Sequence, residues 1–284
     1  MKIISALYAA TVVIFLTSCG SDVSLPDDAK GTVESITNHL AENKPQVIWA
    51  ALPESYQKDV NDVVRTAIGT IDGDVYDKAV GIINKANKVL TDKKEFILKN
   101  EHLGLFAKDL DEVSSNWDAF TDLVAILLES QLGTYGDAQN IDGGEFLADT
   151  GSELMDKLEI ISSLAEEDKG QTEFVAKLKA VKVEEISVSG EQTILRVTGP
   201  DGQVEEGPWE KVEGKWIPKA MEMAWKPGIA EAKAQILKNT ETLTNKLQVM
   251  AVLSMVESVL EQLNKAVTQK EFEAAIASIS NFGG

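Results

Sequence analysis

The chain contains one cysteine, Cys19, among its 284 residues. A lone thiol excludes an intrachain disulfide, so no disulfide scaffold holds the fold together. Histidine is almost as scarce. His39 and His102 are the only two, and neither has a partner at metal-ligand spacing, so no metal or cofactor is expected. Positive charge is also in short supply, with 27 Lys and Arg against 46 Asp and Glu and a formal net charge of −19. A chain this acidic is repelled by phosphate backbones and lacks the basic stripe that nucleic-acid binding needs, which excludes nucleic acid as a partner. The familiar catalytic signatures are missing too. There is no glycine-rich phosphate loop, no Gly-x-Ser-x-Gly elbow and no His-Glu-x-x-His pair. With 46 acids many carboxylate pairs can be drawn, so none singles itself out for acid–base work.

One short apolar run organises the rest. Met1-Lys2 supplies a small positive start, and Ile3 to Leu16 is interrupted only by Ser5 and Thr11. That run is too short to span a bilayer but fits the apolar core of a secretory signal. Small residues, Thr17-Ser18, follow it, and then Cys19. Leu16-Thr17-Ser18-Cys19 resembles the lipobox of bacterial lipoproteins. The resemblance implies cleavage before Cys19, diacylation of its thiol and acylation of the new amine. Three chains make a near-permanent anchor where one holds only marginally. It further implies a lipid bilayer as partner, a periplasm-facing location and, because Gly20 rather than Asp follows, the outer membrane. Lipidation of Cys19 would leave no thiol for a metal site or a nucleophile. Loss of Lys2 with the leader takes the formal charge from −19 to −20.

The expected organisation is a signal peptide (1–18), a lipidated tether (19–26), a helical body with an antiparallel sheet (27–226) and C-terminal helices packing on that body (227–284). Gly20 to Pro26 is a polar tether that reaches at most ~25 Å. Asp27 is placed to cap a helix running to about Asn43, and Pro53 to open the helix 53–71. Asp72-Gly73-Asp74 reads as a turn and cap before a helix over 75–90, with another from 92 to 103. Asp109 to Leu132 is an amphipathic helix whose stripe (Leu110, Val113, Trp117, Phe120, Val124, Leu127, Leu128) should be buried. A glycine- and Asx-rich loop spans 133–144, and Thr150-x-x-Glu153 reads as a capping box.

The period then changes. Val181–Ser189, Gln192–Thr198, Gln203–Val212 and Lys215–Ile217 read as four short strands, joined by Gly190, by Gly199-Pro200-Asp201-Gly202 and by Glu213-Gly214. Turns of that chemistry make an antiparallel meander the natural arrangement. Pro208 predicts a bulge or an edge at its position, and Trp209 and Trp216 are expected to cover one face. Helix resumes at Pro227 with three-four spacing from Ile229 to Val267 and a break near Asn239-Thr240. Thr268-x-x-Glu271 caps a last helix. The fold class is α+β, predominantly α-helical, with a small four-stranded antiparallel sheet over about 181–217 and a helical C-terminal tail.

Ala51-Leu-Pro-Glu-Ser-Tyr56 and Trp209-Glu-Lys-Val-Glu-Gly-Lys-Trp216 together resemble a class of small bacterial lipoproteins with the nuclear-transport-factor-like cone fold. The likeness covers 28–60 and 181–220 and implies helices laid against a curved sheet ending in a Gly-x-Trp hairpin. Two functions follow. One is a non-catalytic envelope lipoprotein that acts through an envelope protein partner, motivated by the long C-terminal stripe. The other is a carrier of a lipid or small hydrophobic ligand, with Trp209, Trp216, Met221 and Trp225 lining a pocket between sheet and helices. Ser55-x-x-Lys58, Ser114-Ser-Asn116 and Lys226-Pro-Gly228 fall in the order of the penicillin-binding transpeptidase boxes. That chemistry needs the third box on a strand, however, and Pro227 opens a helix instead. Asp72-Gly-Asp74 lacks the remaining ligands of a calcium loop and is read, like Asp137 to Asp142, as capping.

Overall fold

The computed structural model describes residues 23–100, 114–165, 174–240 and 246–280. Cys19, His102, Leu110 and Val113 lie outside them. The first half is helical: α1 (Ala29–Ala41), α2 (Gln46–Ala50), α3 (Glu54–Gly69), α4 (Gly73–Asp92), α5 (Lys94–Leu98), α6 (Trp117–Glu129), α7 (Tyr135–Gln139), α8 (Gly143–Phe146), a π-turn at Leu147–Gly151, α9 (Ser152–Ala165) and α10 (Phe174–Lys179). The sheet follows as β1 (Lys182–Ser189), β2 (Gln192–Thr198), β3 (Val204–Val212) and β4 (Lys215–Pro218). The chain closes with α11 (Lys219–Thr240), α12 (Lys246–Lys265) and α13 (Gln269–Ser280). This is an α+β fold, mostly helix, as expected.

The strands form an antiparallel meander in the order β1-β2-β3-β4. Turn chemistry sets it. Gly190 and Gly202 adopt φ of +64° and +76°, and Glu213-Gly214 takes +51° and +80°, the left-handed pair that closes a two-residue hairpin. Of the bulge or edge expected at Pro208, the bulge lies elsewhere and the edge holds. Pro208 keeps regular register opposite Ile194, and the bulge falls in β1 between Glu185 and Ser187. The tight hairpin makes Val212 and Lys215 a hydrogen-bonded pair, so alternate residues of β3, Pro208 included, turn their backbone groups towards β4. Because β4 ends at Pro218 opposite Trp209, Pro208 lies one step beyond it, at an open edge where no N–H is needed.

Helices cover both faces of the sheet. On one face α1 buries Ala29 and Val33 against Val183, Leu195 and Trp216. On the other, Ile217 packs with Trp49 and Leu52 from the α2 turn and with Tyr56 and Val60 of α3. Two further cores contain no strand residue. One joins Ile68 to Ala138, Ile141 and Phe146, and the other joins Val89 to Leu263, Ala266, Phe272 and Ala275 of the C-terminal helices.

Several element boundaries differ from those read in the sequence. Asp28, not Asp27, caps α1, with its carboxylate accepting from the Gly31 N–H at 2.6 Å. Helix α11 begins at Lys219 and carries Pro227 inside it, so the boundary at 226/227 falls within a helix. A proline there deprives the Met223 carbonyl of its donor. Met223 is 66% exposed, so that turn of the helix faces solvent. Thr150 opens nothing, since the π-turn runs straight into α9 and Asp142 caps the preceding turn. The 133–144 loop holds the short helix α7, capped by Thr134. Ser130 ends α6 by donating to the Leu127 carbonyl (2.8 Å) and accepting from the Leu132 N–H (3.2 Å).

The buried stripe on α6 is only partly realised. Trp117, Val124, Leu127 and Leu128 are half-buried and Phe120 is exposed, while Ala119 and Thr121 are the buried residues of the helix. In the tail, Leu263 is buried, but Leu247 (80%), Val256 (43%) and Val267 (77%) stand in solvent. The Thr268–Glu271 capping box forms as expected, with Thr268 N–H donating to the Glu271 carboxylate (3.2 Å) and Glu271 N–H to the Thr268 hydroxyl (3.3 Å).

Candidate functional site

Residues 23–28 lead into α1. The Asp27 carbonyl accepts from the Trp216 indole N–H at 3.0 Å, and its carboxylate pairs with Lys211 at 2.6 Å. The Thr32 hydroxyl donates to the Pro26 carbonyl at 3.2 Å and to the Asp28 carbonyl at 2.8 Å. The Lys211 ammonium also lies 5.3 Å from the centre of the Trp216 ring, within cation–π range. The chain leaving the N-terminal segment is thus fixed to the β3–β4 hairpin before α1 begins. Neighbouring acids are engaged as well: Glu213 accepts from the Ser55 N–H (3.0 Å), and the bonds from Ser55 hold its carboxyl below the usual range.

The four residues expected to line a pocket are divided by the sheet. Trp209 and Lys211 share one face of β3, and Trp216 lies opposite Lys211, so both tryptophans pack with the α1 core. Met221 and Trp225 on α11 pack with Ile217 on the other side. Trp225 stacks flat on Tyr56, and its indole N–H donates to Asp59 at 3.0 Å. The sequence reading missed Trp49, 2% exposed, and Tyr56 as parts of this cluster. Tyr56 closes the Ala51–Tyr56 segment, which was the available signal.

Two cavities stand out, one beside these elements and one apart from them. One, of about 120 Å³, lies at the junction and is lined by Pro26, Asp27, Thr32, Lys215 and Trp216 among others. Pockets for drug-sized ligands run from ~300 to 1,000 Å³, so it is too small for a lipid. The other, about 400 Å³, is an open groove between α6 and α9. Asp122, Glu129, Glu153, Asp156 and Lys157 line it beside Ala125 and Ile126, and Lys157 pairs with Asp122 at 2.7 Å. That ion pair raises the Lys157 pKa, its hydrogen bond to Asp122 being the largest cause.

Other candidates resolve into local structure. His39 hydrogen-bonds through Nδ1 to the Ser35 carbonyl one turn back (2.8 Å). The Asp72 carboxylate caps α4 by accepting from the Asp74 and Val75 N–H groups. Lys246 binds Asp72 (2.8 Å) and Asp74 (2.6 Å), which lowers the Asp72 pKa. Lys226-Pro227-Gly228 lies on a helix, not on the strand a transpeptidase box requires. Among the described residues no group of three His, Cys, Asp or Glu is placed to hold a metal. Nor is any described helix long and apolar enough to cross a membrane.

The C-terminal helices are joined to the first half by charge. Glu257 of α12 accepts from Lys78 (2.5 Å) and Lys85 (2.6 Å) of α4, and Lys85 also reaches Glu261 (2.9 Å). The two ammonium groups hold the Glu257 carboxyl down at about 2. Comparison with known protein families, characterised proteins and solved structures yields no match to this chain.

Proposed function

We propose that the chain is a membrane-anchored, periplasm-facing lipoprotein of the bacterial envelope, acylated on Cys19, acting as a non-catalytic interaction or structural protein. The observation that carries this reading is Leu16-Thr17-Ser18-Cys19 at the end of an apolar run of signal-peptide length. The junction supports it. A body seized at Asp27 by Trp216 and Lys211, a few residues after Cys19, is held close to whatever holds the cysteine. The division of Trp209 and Trp216 from Met221 and Trp225, with a cavity of about 120 Å³ beside Trp216 that is too small for a lipid, favours this role over a carrier.

Replacing Cys19 with Ser should abolish incorporation of labelled palmitate and release the protein from the membrane fraction. A Cys19→Ser protein that stays membrane-bound would overturn the reading. Cross-linking in intact envelopes tests the partner, since recovery of bulk lipoproteins alone counts against a specific one. Bound lipid in native mass spectra of the soluble body would instead favour the carrier.

A further inference from the structure

We propose that Asp201-Gly202, at the tip of the β2–β3 hairpin, is a site of spontaneous covalent modification, where the aspartyl residue closes to a succinimide and reopens as isoaspartate. Asp-Gly occurs three times in the chain, at 72–73, 142–143 and 201–202, and the fold protects the first two. The inference concerns the folded body alone and does not depend on acylation of Cys19.

The reaction is a condensation within one residue pair. The glycine nitrogen attacks the side-chain carboxyl carbon of the preceding aspartate. An N–C bond forms, the C–OH bond breaks, and the hydroxyl leaves as water with the proton that the nitrogen gives up. No oxidant or reductant is needed. Water then opens either carbonyl of the five-membered imide. Opening at the main-chain carbonyl routes the backbone through the aspartate side chain, and opening at the other restores aspartate. Three conditions follow: a carboxyl able to hold a proton, a backbone free to rotate, and a follower without a Cβ in the way, which is glycine.

The first pair fails on all but the last. The Asp72 carboxylate caps α4 by accepting from the Asp74 and Val75 N–H groups at 3.0 and 3.4 Å, and it pairs with Lys246 at 2.8 Å. Rotation breaks the cap and the ion pair together. The Lys246 ammonium also favours the ionised, unreactive carboxylate. Gly73 packs on the Tyr135 ring so closely that a Cβ built there would lie 2.9 Å from it.

The second pair is held harder. Asp142 caps α8 through the Gly144 and Glu145 N–H groups (2.7 and 3.4 Å) and accepts from the Asn61 amide at 3.1 Å. The attacking nitrogen is itself engaged, since Gly143 is buried and its N–H donates to Asn61 Oδ1 at 2.8 Å. Ile141 and Phe146 on either side belong to one core.

The third pair stands in solvent. Asp201, Gly202 and Gln203 are all exposed. Two bonds hold the turn: the Gly202 N–H donates to the Gly199 carbonyl at 3.0 Å, and the Asp201 carboxylate accepts from the Gln203 N–H at 3.1 Å. Both lie within five residues at a loop tip, where local opening costs far less than the opening of a packed helix start. Nothing lies within 4 Å of a Cβ built on Gly202, so rotation there meets no neighbour. The added main-chain carbon falls between the closing pair Thr198 and Val204, inside the loop rather than the ladder.

The test ages the purified full chain at neutral pH and physiological temperature in water enriched in oxygen-18. Peptides are then read by electron-based fragmentation, which distinguishes isoaspartate from aspartate. Each opening of the imide leaves one heavy oxygen in the product. In the folded protein isoaspartate and heavy oxygen should accumulate at 201 at least about tenfold faster than at 72 or 142. In guanidinium chloride the three pairs should age at similar rates. Equal accumulation in the folded protein, a higher rate at 72 or 142, or no product at 201 while the unfolded chain reacts overturns the proposal. Asp201→Ser keeps a turn-forming residue and should abolish labelling of the folded protein by an isoaspartyl methyltransferase. Labelling that persists in the variant moves the site elsewhere and equally overturns the proposal. The comparison of folded with unfolded wild type stands whether or not the variant folds.

Discussion

The indole of Trp225 lies on the ring of Tyr56 with centroids 4.0 Å apart and planes 6° from parallel. The stack joins α11 to α3 over Ile217 and ties the segment after the sheet to the helices before it. Aromatic pairs contribute ~0.5–1.5 kcal/mol beyond the area they bury. A double-mutant cycle of Tyr56→Leu and Trp225→Leu should return a coupling of about 1 kcal/mol in urea unfolding. Additive single effects would mean that the rings are merely neighbours.

The Glu257 ion pairs have a pH signature. An unperturbed Glu titrates at 4.5, and in the folded protein Lys78 and Lys85 hold this one at about 2. A depressed carboxyl pKa contributes stability that is complete above the unfolded value and is lost as pH falls through the folded one. The gap in thermal midpoint between wild type and Glu257→Gln should therefore be constant above about pH 4.5, narrow below it and close near pH 2. A gap independent of pH over that range would remove the ion pairs from the α4–α12 contact.

Gly151 allows a close approach. A Cβ built there would lie 2.7 Å from Cγ of Pro45, a buried and rigid ring, and 3.0 Å from Cδ2 of Leu147. Alanine gains about 1 kcal/mol over glycine in a helix, but overpacking against groups that do not yield costs about 1–3 kcal/mol. Gly151→Ala should therefore be net destabilising in chemical denaturation, whereas Gly81→Ala, with open space around it, should stabilise.

Trp216→Phe removes the donor to the Asp27 carbonyl while keeping an aromatic ring on the sheet. The loss of one hydrogen bond costs about 1 kcal/mol. Its clearer effect should be local, as faster amide exchange and earlier proteolysis near residues 25–28 with the strands still protected. Uniform loss of protection would show that Trp216 holds the sheet rather than the junction.

How much of this was legible depended on whether a local signal decided the outcome. Turn residues did so for the sheet: Gly190, Gly202 and Glu213-Gly214 set the strand ends to within a residue, because positive φ is a property of the turn itself. Thr268 and Glu271 gave the last cap for the same reason. Environment misled elsewhere. Pro227 was read as opening a helix, yet α11 carries it in its interior, at a turn where Met223, whose carbonyl loses its donor, is exposed. Thr150 and Glu153 fit a capping pattern, yet Asp142 had already started the helix that runs through them. The tryptophans were recognised as important but assigned to one pocket, since strand alternation does not reveal that α11 returns on the Ile217 face, opposite Trp209 and Trp216. Trp49 escaped notice because α2 is five residues long, too short to show a period.

The bulge in β1 matters because it lies on an open edge of the sheet. β1 is an outer strand of the meander, and Ile186 and Val188 are exposed along it. A flat, apolar border of unpaired peptide groups is a template on which neighbouring copies accrete. The kink between Glu185 and Ser187, with Glu184 and Glu185 beside it, spoils that template. An edge kinked and charged in this way offers neighbouring copies no continuous strand to extend.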